Sequence, residues 1–281
     1  MTAVPALPEL KFVAVEPSRC GMEGPRISYM ESGSQEGEPL VLLHGIGSNS
    51  GGWRYMLDAL CADFHVMAWN APGYMLSDNL AAESPKNTQY ADALAAFLDA
   101  FKIDRAFLVG SSFGSMVAAT FAARYPDRVL RLALLGTSRG QKWLPDDERA
   151  KRRRMRADSI RDGGVAMAES RWANLLSSRP SHDAIHLTKE VLKATNKRGF
   201  LQSVQASDTT DVLEFAKDIT APTLLIVGTE DRVNPPEISR AIQAAIPGSR
   251  LAELDGVGHL PKLESPDRLA ELLSAHFKVV E

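Results

Sequence analysis

Cysteine is scarce. Cys20 and Cys61 are the only two in 281 residues. Two thiols this far apart build no disulfide framework and fit no metal-ligand spacing, so a free-thiol protein of a reducing compartment is expected. Charge of one sign is also missing. Lys and Arg number 32 against 35 Asp and Glu, for a net charge of −3, which leaves no global basic field for nucleic acid. No apolar run approaches the roughly 20 residues of a membrane helix. The opening MTAVPALPELKFVAVEP is interrupted by Pro5, Pro8 and Glu9, so no signal peptide is expected. There is no internal repeat and no low-complexity tract. These absences point to a cytoplasmic protein acting on a small molecule, with no membrane or nucleic-acid partner; a monomer or homodimer is expected.

What is present alternates. Short apolar runs read as strands: FVAVEP (12–17), RISYMESG (26–33), PLVLLHG (39–45), HVMAWNAPG (65–73), RAFLVGSS (105–112), VLRLALLG (129–136), PTLLIVG (222–228) and SRLAELDG (249–256). The MEGP before the second suggests a hairpin-like turn. Helical patterns fall between the runs at 53–64, 88–103, 113–125, 235–246 and 266–277. The alternation predicts an α/β fold: a mostly parallel sheet of about eight strands with helices on both faces. Residues 138–217 interrupt the rhythm with charged helical segments and no strand run, between strands six and seven. The division expected is a core of 1–137 and 218–281 carrying a helical insertion, 138–217.

Gly110-Ser111-Ser112-Phe113-Gly114 sits where a strand meets a helix. A serine at so tight a corner projects its hydroxyl above the sheet, and flanking glycines relieve the crowding. The plainer reading is a glycine-rich turn that packs the helix close to the sheet. A serine also needs a base, and the base an orienting acid. LLIVGTEDRVNPP puts Asp231 just past a strand end, with Glu230 as the rival acid, and LAELDGVGHLPKLESPD puts His259 past the next. All three then lie at the carboxyl edge of one sheet, where such folds bind ligands. HGIGSNSGGW follows the buried strand PLVLLHG, and Ile46 N–H with Phe113 N–H would form an oxyanion hole.

With these residues assembled, the chain resembles the α/β-hydrolase fold superfamily along nearly its whole length. The likeness rests on His44-Gly45-Ile46-Gly47, Asn70-Ala71-Pro72-Gly73-Tyr74 with Ser77-Asp78, the Gly110–Gly114 corner, Gly228 with Asp231 and Pro235, and Gly258-His259 with Glu264 and Pro266. It is similar to the cap-bearing group of carboxylesterases, enol-lactonases and meta-cleavage C–C hydrolases, in which the insertion is a helical lid. The resemblance implies Ser112 as nucleophile, His259 as base, Asp231 as its orienter, Ile46 and Phe113 as oxyanion donors, and no cofactor. Many members carry Asp, usually structural, where this chain has Asn70, and Gly where it has Met75. Ser112 argues against the haloalkane dehalogenases, which need an aspartate there. Ser111 and Leu260 stand where meta-cleavage hydrolases often have Asn and Trp.

The activity expected is hydrolysis of a carboxylic ester or lactone through an acyl-enzyme. The alternatives are C–C hydrolysis of a vinylogous diketone and, in a different class, a non-catalytic receptor on the same fold. Trp143, Trp172 and Phe200 are the candidate substrate contacts in the lid. The KRRRMR run at 151–156 reads as a solvated helix face, with a lesser reading in which some of its arginines, Arg152 and Arg153 among them, draw anionic substrates. His182 and His186 mimic a zinc helix, but Asp183 replaces the usual Glu and no third ligand is apparent, so no metal is expected.

Overall fold

The computed structural model describes residues 4–278; the outermost three residues at each end, included in the expected core, lie outside the described residues. Eight strands form one sheet: β1 Lys11–Ala14, β2 Arg26–Ser32, β3 Glu38–Leu43, β4 Phe64–Trp69, β5 Ala106–Ser111, β6 Val129–Leu135, β7 Thr223–Gly228 and β8 Arg250–Leu254. Their order is β1-β2-β4-β3-β5-β6-β7-β8. The pairings of β2 with β1 and with β4 are antiparallel, and the rest are parallel. The strand order reverses at β3, whose neighbours are β4 and β5, so a crevice opens beyond the carboxyl ends of β3 and β5.

The helices are α1 Pro17–Cys20, α2 Arg54–Ala59, α3 Asn87–Ala100, α4 Phe113–Arg124, α5 Asp146–Ser159, α6 Gly163–Leu175, α7 His182–Lys193, α8 Lys197–Asp208, α9 Pro236–Ala245, α10 Pro261–Glu264 and α11 Pro266–Phe277. The twofold alternation of strand side chains explains the layering. Val41 and Leu43 of β3 pack with Leu94 and Phe97 of α3 and with Val117 and Phe121 of α4. Leu40 and Leu42, pointing the other way, pack with Met56 and Leu57 of α2 and with Leu269 and Leu273 of α11. Both faces of β3 are thus closed to water from Leu40 to Leu43, which is why that stretch is apolar without interruption. Helices α5–α8 all lie between β6 and β7.

Two local expectations shift. The helix expected over 53–64 is a 3₁₀ turn, Ser50–Trp53, followed by the short α2. The Leu60 carbonyl accepts from both Asp63 N–H and Phe64 N–H, which turns the chain into β4. The strand expected over 65–73 ends at Trp69; Asn70 N–H still donates to Ser28 O of β2 at 2.9 Å, and the chain then turns, Tyr74 N–H donating to Ala71 O at 3.0 Å. The short helices α1 and α10 were not foreseen from the sequence.

Candidate active site

β5 ends at Ser111 and α4 begins at Phe113, leaving Ser112 alone in the corner at φ 54°, ψ −117°. That backbone is strained for any residue with a Cβ, at a cost of about 1–3 kcal/mol. The surroundings hold it there. Ser112 N–H donates to the Leu135 carbonyl at 2.9 Å, and Ser112 O accepts from Ser115 N–H at 2.9 Å and Ser115 Oγ at 2.5 Å. The flanking glycines are sterically required. A Cβ on Gly110 would lie 2.3 Å from Gly114 O, and one on Gly114 would lie 2.2 Å from Leu43 O.

Asp231 and His259 follow β7 and β8 and are both buried. His259 Nδ1–H donates to Asp231 Oδ2 at 2.7 Å, and Asp231 Oδ1 accepts from the N–H groups of Val233 and Asn234, each at 2.9 Å. A carboxylate acceptor at Nδ1 leaves Nε2 as the basic nitrogen. The rival Glu230 instead accepts from Ser178 N–H and Oγ at 2.6 and 3.1 Å. Gly136, at φ 48°, closes β6 beside this pair: a Cβ there would lie 3.1 Å from both Asp231 Oδ2 and His259 Nδ1. Ser112 and His259 line one cavity, and the described hydrogen bonds join His259 to Asp231 rather than to Ser112.

Ile46 and Phe113 line the same cavity, and their N–H groups donate to no protein acceptor among the described residues. The loop bearing Ile46 is fixed by His44. Ala71 N–H donates to His44 Nε2 at 3.0 Å, so Nδ1 carries the proton and donates to Gly45 O at 2.9 Å. Burial holds this imidazole neutral, its pKa pushed down to about 3. Asn70 braces the next loop. Its Nδ2 donates to Ser28 Oγ and Ser50 Oγ, both at 3.0 Å, while its Oδ1 accepts from Ser50 N–H at 2.7 Å. An aspartate could not make the two donations. Met75, at φ 38°, occupies the left-handed region that a glycine would take without strain.

The insertion supplies the far wall, and not with the aromatic residues expected. Trp143 is 43% exposed and bonds through Nε1 to Gly140 O; Trp172 packs at half burial beside Lys189; Phe200 is buried in a cluster with Met167 and Leu192. None of the three lines the cavity. Arg156 of α5 and Arg171 of α6 line it instead, as does Lys262 of α10 from the core side. The rest of the 151–156 run divides. Lys151, Arg152 and Arg154 face solvent, Arg152 paired with Glu148, while Arg153 pairs with Asp208. Lys262 is 1% exposed, its Nζ has no hydrogen-bond partner and lies 4.1 Å from the Trp53 ring centroid, and burial pushes its pKa down to about 7. The sequence reading missed Arg171 and Lys262 as cavity residues and reached Arg156 only through the lesser reading of the 151–156 run.

The junction of α6 with α7 is tied to the histidine loop. His259 N–H donates to Leu175 O at 3.0 Å. Glu264 accepts from Gly258 N–H at 3.0 Å with one oxygen and from Ser177 N–H at 2.8 Å with the other. Among the described residues no group of three or more His, Cys, Asp or Glu side chains is placed to hold a metal ion.

Known proteins resemble this chain in sequence and fold. A 2-hydroxy-6-oxononadienedioate/2-hydroxy-6-oxononatrienedioate hydrolase of Paraburkholderia phymatum is 27% identical over 267 residues, covering 88% of this chain and 89% of that one. The crystal structure of a hydrolase from Pseudomonas aeruginosa PA01 superposes with a TM-score of 0.83 at 26% identity, covering 96% of this chain and 99% of the other. The enol-lactonase of Burkholderia xenovorans LB400 superposes with a TM-score of 0.80 at 24% identity, covering 91% and 98%. The model of the alpha/beta hydrolase fold matches residues 38–266, a span that takes in Ile46, the Ser112 corner, Asp231 and His259, and the chain belongs to that family.

Proposed function

We propose that the protein is a serine hydrolase that cleaves a carboxylic ester or lactone. Ser112 Oγ attacks the carbonyl while His259 Nε2 takes its proton. Asp231 holds the imidazole in the required tautomer and stabilises the imidazolium. The oxyanion rests on Ile46 N–H and Phe113 N–H, a type of donor worth about 3–4 kcal/mol each when removed. The leaving alcohol departs with the proton from His259, which then activates water to hydrolyse the acyl-enzyme. Residues 138–217 act as a cap over the cavity, and the enzyme works in the cytoplasm, as a monomer or homodimer, without a cofactor. The observation that carries this reading is the buried His259–Asp231 hydrogen bond beside a cavity into which the strained Ser112 corner opens.

Intact mass after incubation with a fluorophosphonate tests it. One adduct on the wild type and none on Ser112→Ala is expected; an adduct on both, or ester turnover retained by folded Ser112→Ala, refutes the assignment. A second reading is C–C hydrolysis of a vinylogous diketone by the same residues. It is favoured by the oxononadienedioate hydrolase at 27% identity. Assaying a ring-fission product beside simple esters separates the two, since the reading with the higher kcat/KM stands.

A further inference from the structure

We propose that the substrate carries a carboxylate away from its scissile bond, and that Arg156 and Arg171 of the cap bind it. The proposal rests on the hydrolase reading above and adds a substrate class to it. Every charged side chain that lines the cavity, His259 aside, is a cation: Arg156, Arg171 and Lys262, with no carboxylate among them. Structural arginines in this cap behave otherwise. Arg149 and Arg153 pair with Asp208, Arg152 with Glu148, Arg161 with Asp158 and Arg198 with Glu23. Arg156 and Arg171 have no carboxylate within ion-pair distance among the described residues. Arg156 hydrogen-bonds the neutral Gln141 amide, whose oxygen accepts from Nη1 and Nη2 at 3.0 and 2.9 Å when turned toward the guanidinium, and Asp208, already paired with Arg149 and Arg153, acts on it only from beyond ion-pair distance. Arg171 has only Ser159 Oγ, at 3.4 Å.

An unpaired cation taken partly out of water destabilises the fold unless something compensates. Here burial lowers the pKa of both arginines, and for Arg156 the neighbouring charge of Arg171 lowers it further. The two guanidinium groups, both at the cavity wall, therefore repel one another. A carboxylate between them would accept charge-assisted, planar hydrogen bonds and remove that repulsion. Lys262, unpartnered on the core side, adds positive charge to the field when protonated. Because the arginines sit on α5 and α6 while Ser112 sits on the core, an acidic substrate would also draw the cap onto the core.

The test compares monomethyl adipate, an anion at neutral pH, with dimethyl adipate. The wild type is expected to favour the monoester in kcat/KM by at least tenfold. Arg156→Gln and Arg171→Gln should each reduce that ratio at least tenfold, while Arg154→Gln, on the solvent side of α5, leaves it within twofold. A wild-type ratio near one, or a ratio unmoved in both variants, overturns the proposal; if Ser112 is still labelled by the fluorophosphonate, the hydrolase reading survives. A wild type neither labelled nor active on either ester overturns that reading instead. Calorimetric titration with adipate then decides the anion site alone: binding at least tenfold weaker in both variants supports it, and no binding overturns it. Tighter binding of n-butyl phosphate than of adipate would move the site to phosphate and overturn the carboxylate assignment.

Discussion

Lys262→Met should make the protein more stable, and the gain should depend on pH in a defined way. Lys262 is buried with its Nζ unpartnered, and its pKa falls from 10.5 to about 7 because the ammonium is stripped of water. At about 1.4 kcal/mol per tenfold change, that fall is a cost of about 5 kcal/mol for holding the charged form in the fold. The Trp53 ring, 4.1 Å from Nζ, offsets about 2 kcal/mol of it while the amine is charged. Methionine matches the length of lysine, fills the same channel and needs no partner. A net gain of about 3 kcal/mol is expected at pH 6.

The sign follows from proton counting. Between pH 7 and 10.5 the unfolded chain keeps the Lys262 proton and the folded chain has released it, so this group makes wild-type stability rise with pH across that window. Below pH 7 the full cost is present, and above 10.5 it is gone. The advantage of Lys262→Met should therefore be largest at pH 6 and shrink steadily toward pH 10. Urea unfolding followed by tryptophan fluorescence at pH 6, 8 and 10 gives the three differences directly. A variant less stable than wild type at pH 6, or a difference that does not shrink with pH, would refute the reasoning. The same substitution should weaken the preference for monomethyl adipate, because it removes one of the three cavity cations.

Gly136→Ala should lower kcat/KM at least a hundredfold, since its Cβ would press within 3.1 Å of both Asp231 Oδ2 and His259 Nδ1; unchanged kinetics would show that the pair tolerates displacement. Ser112→Gly should be more stable than Ser112→Ala by about 1 kcal/mol, because φ 54° strains alanine and not glycine, and equal unfolding midpoints would deny the strain. Glu264→Gln keeps one acceptor oxygen for two N–H donors, those of Gly258 and Ser177, so a loss of about 1–3 kcal/mol and a lower kcat are expected from urea unfolding and steady-state assays. Acid should destabilise the fold early. His44 and His276 are held neutral with pKa values pushed down to about 3 and about 4, whereas the unfolded chain protonates both near pH 6.5. Stability should then fall as pH drops from 6.5 toward 4, and His276→Gln should make that fall shallower.

How much of this could be read from the sequence depends on whether the deciding contact is local. The Ser112 corner was legible because its causes are contiguous: an apolar strand, two glycines with no room for a Cβ, and a helix that starts at once. The sheet was legible because the centres of β3, β5 and β7 are buried on both faces and so carry continuous apolar runs. Asp231 and His259 were legible as residues just past strand ends, the places where a parallel sheet gathers its loops. The insertion was legible as helices but not as faces. Helix α5, DDERAKRRRMRADS, has no buried residue and no apolar stripe, so hydrophobic periodicity gives it no inside. Asp208 on α8, pairing with Arg149 and Arg153, fixes its rotation. Once those two face inward, Arg156, seven residues beyond Arg149, must follow on the same side of the helix. The three aromatic residues failed as cavity contacts for the complementary reason. Large apolar side chains find packing partners wherever the chain offers them, and Phe200 found Met167 and Leu192 rather than the cavity. A cation gains nothing from such packing, so Arg156 and Arg171 at the cavity wall, without carboxylate partners, point more strongly to a ligand than the tryptophans did.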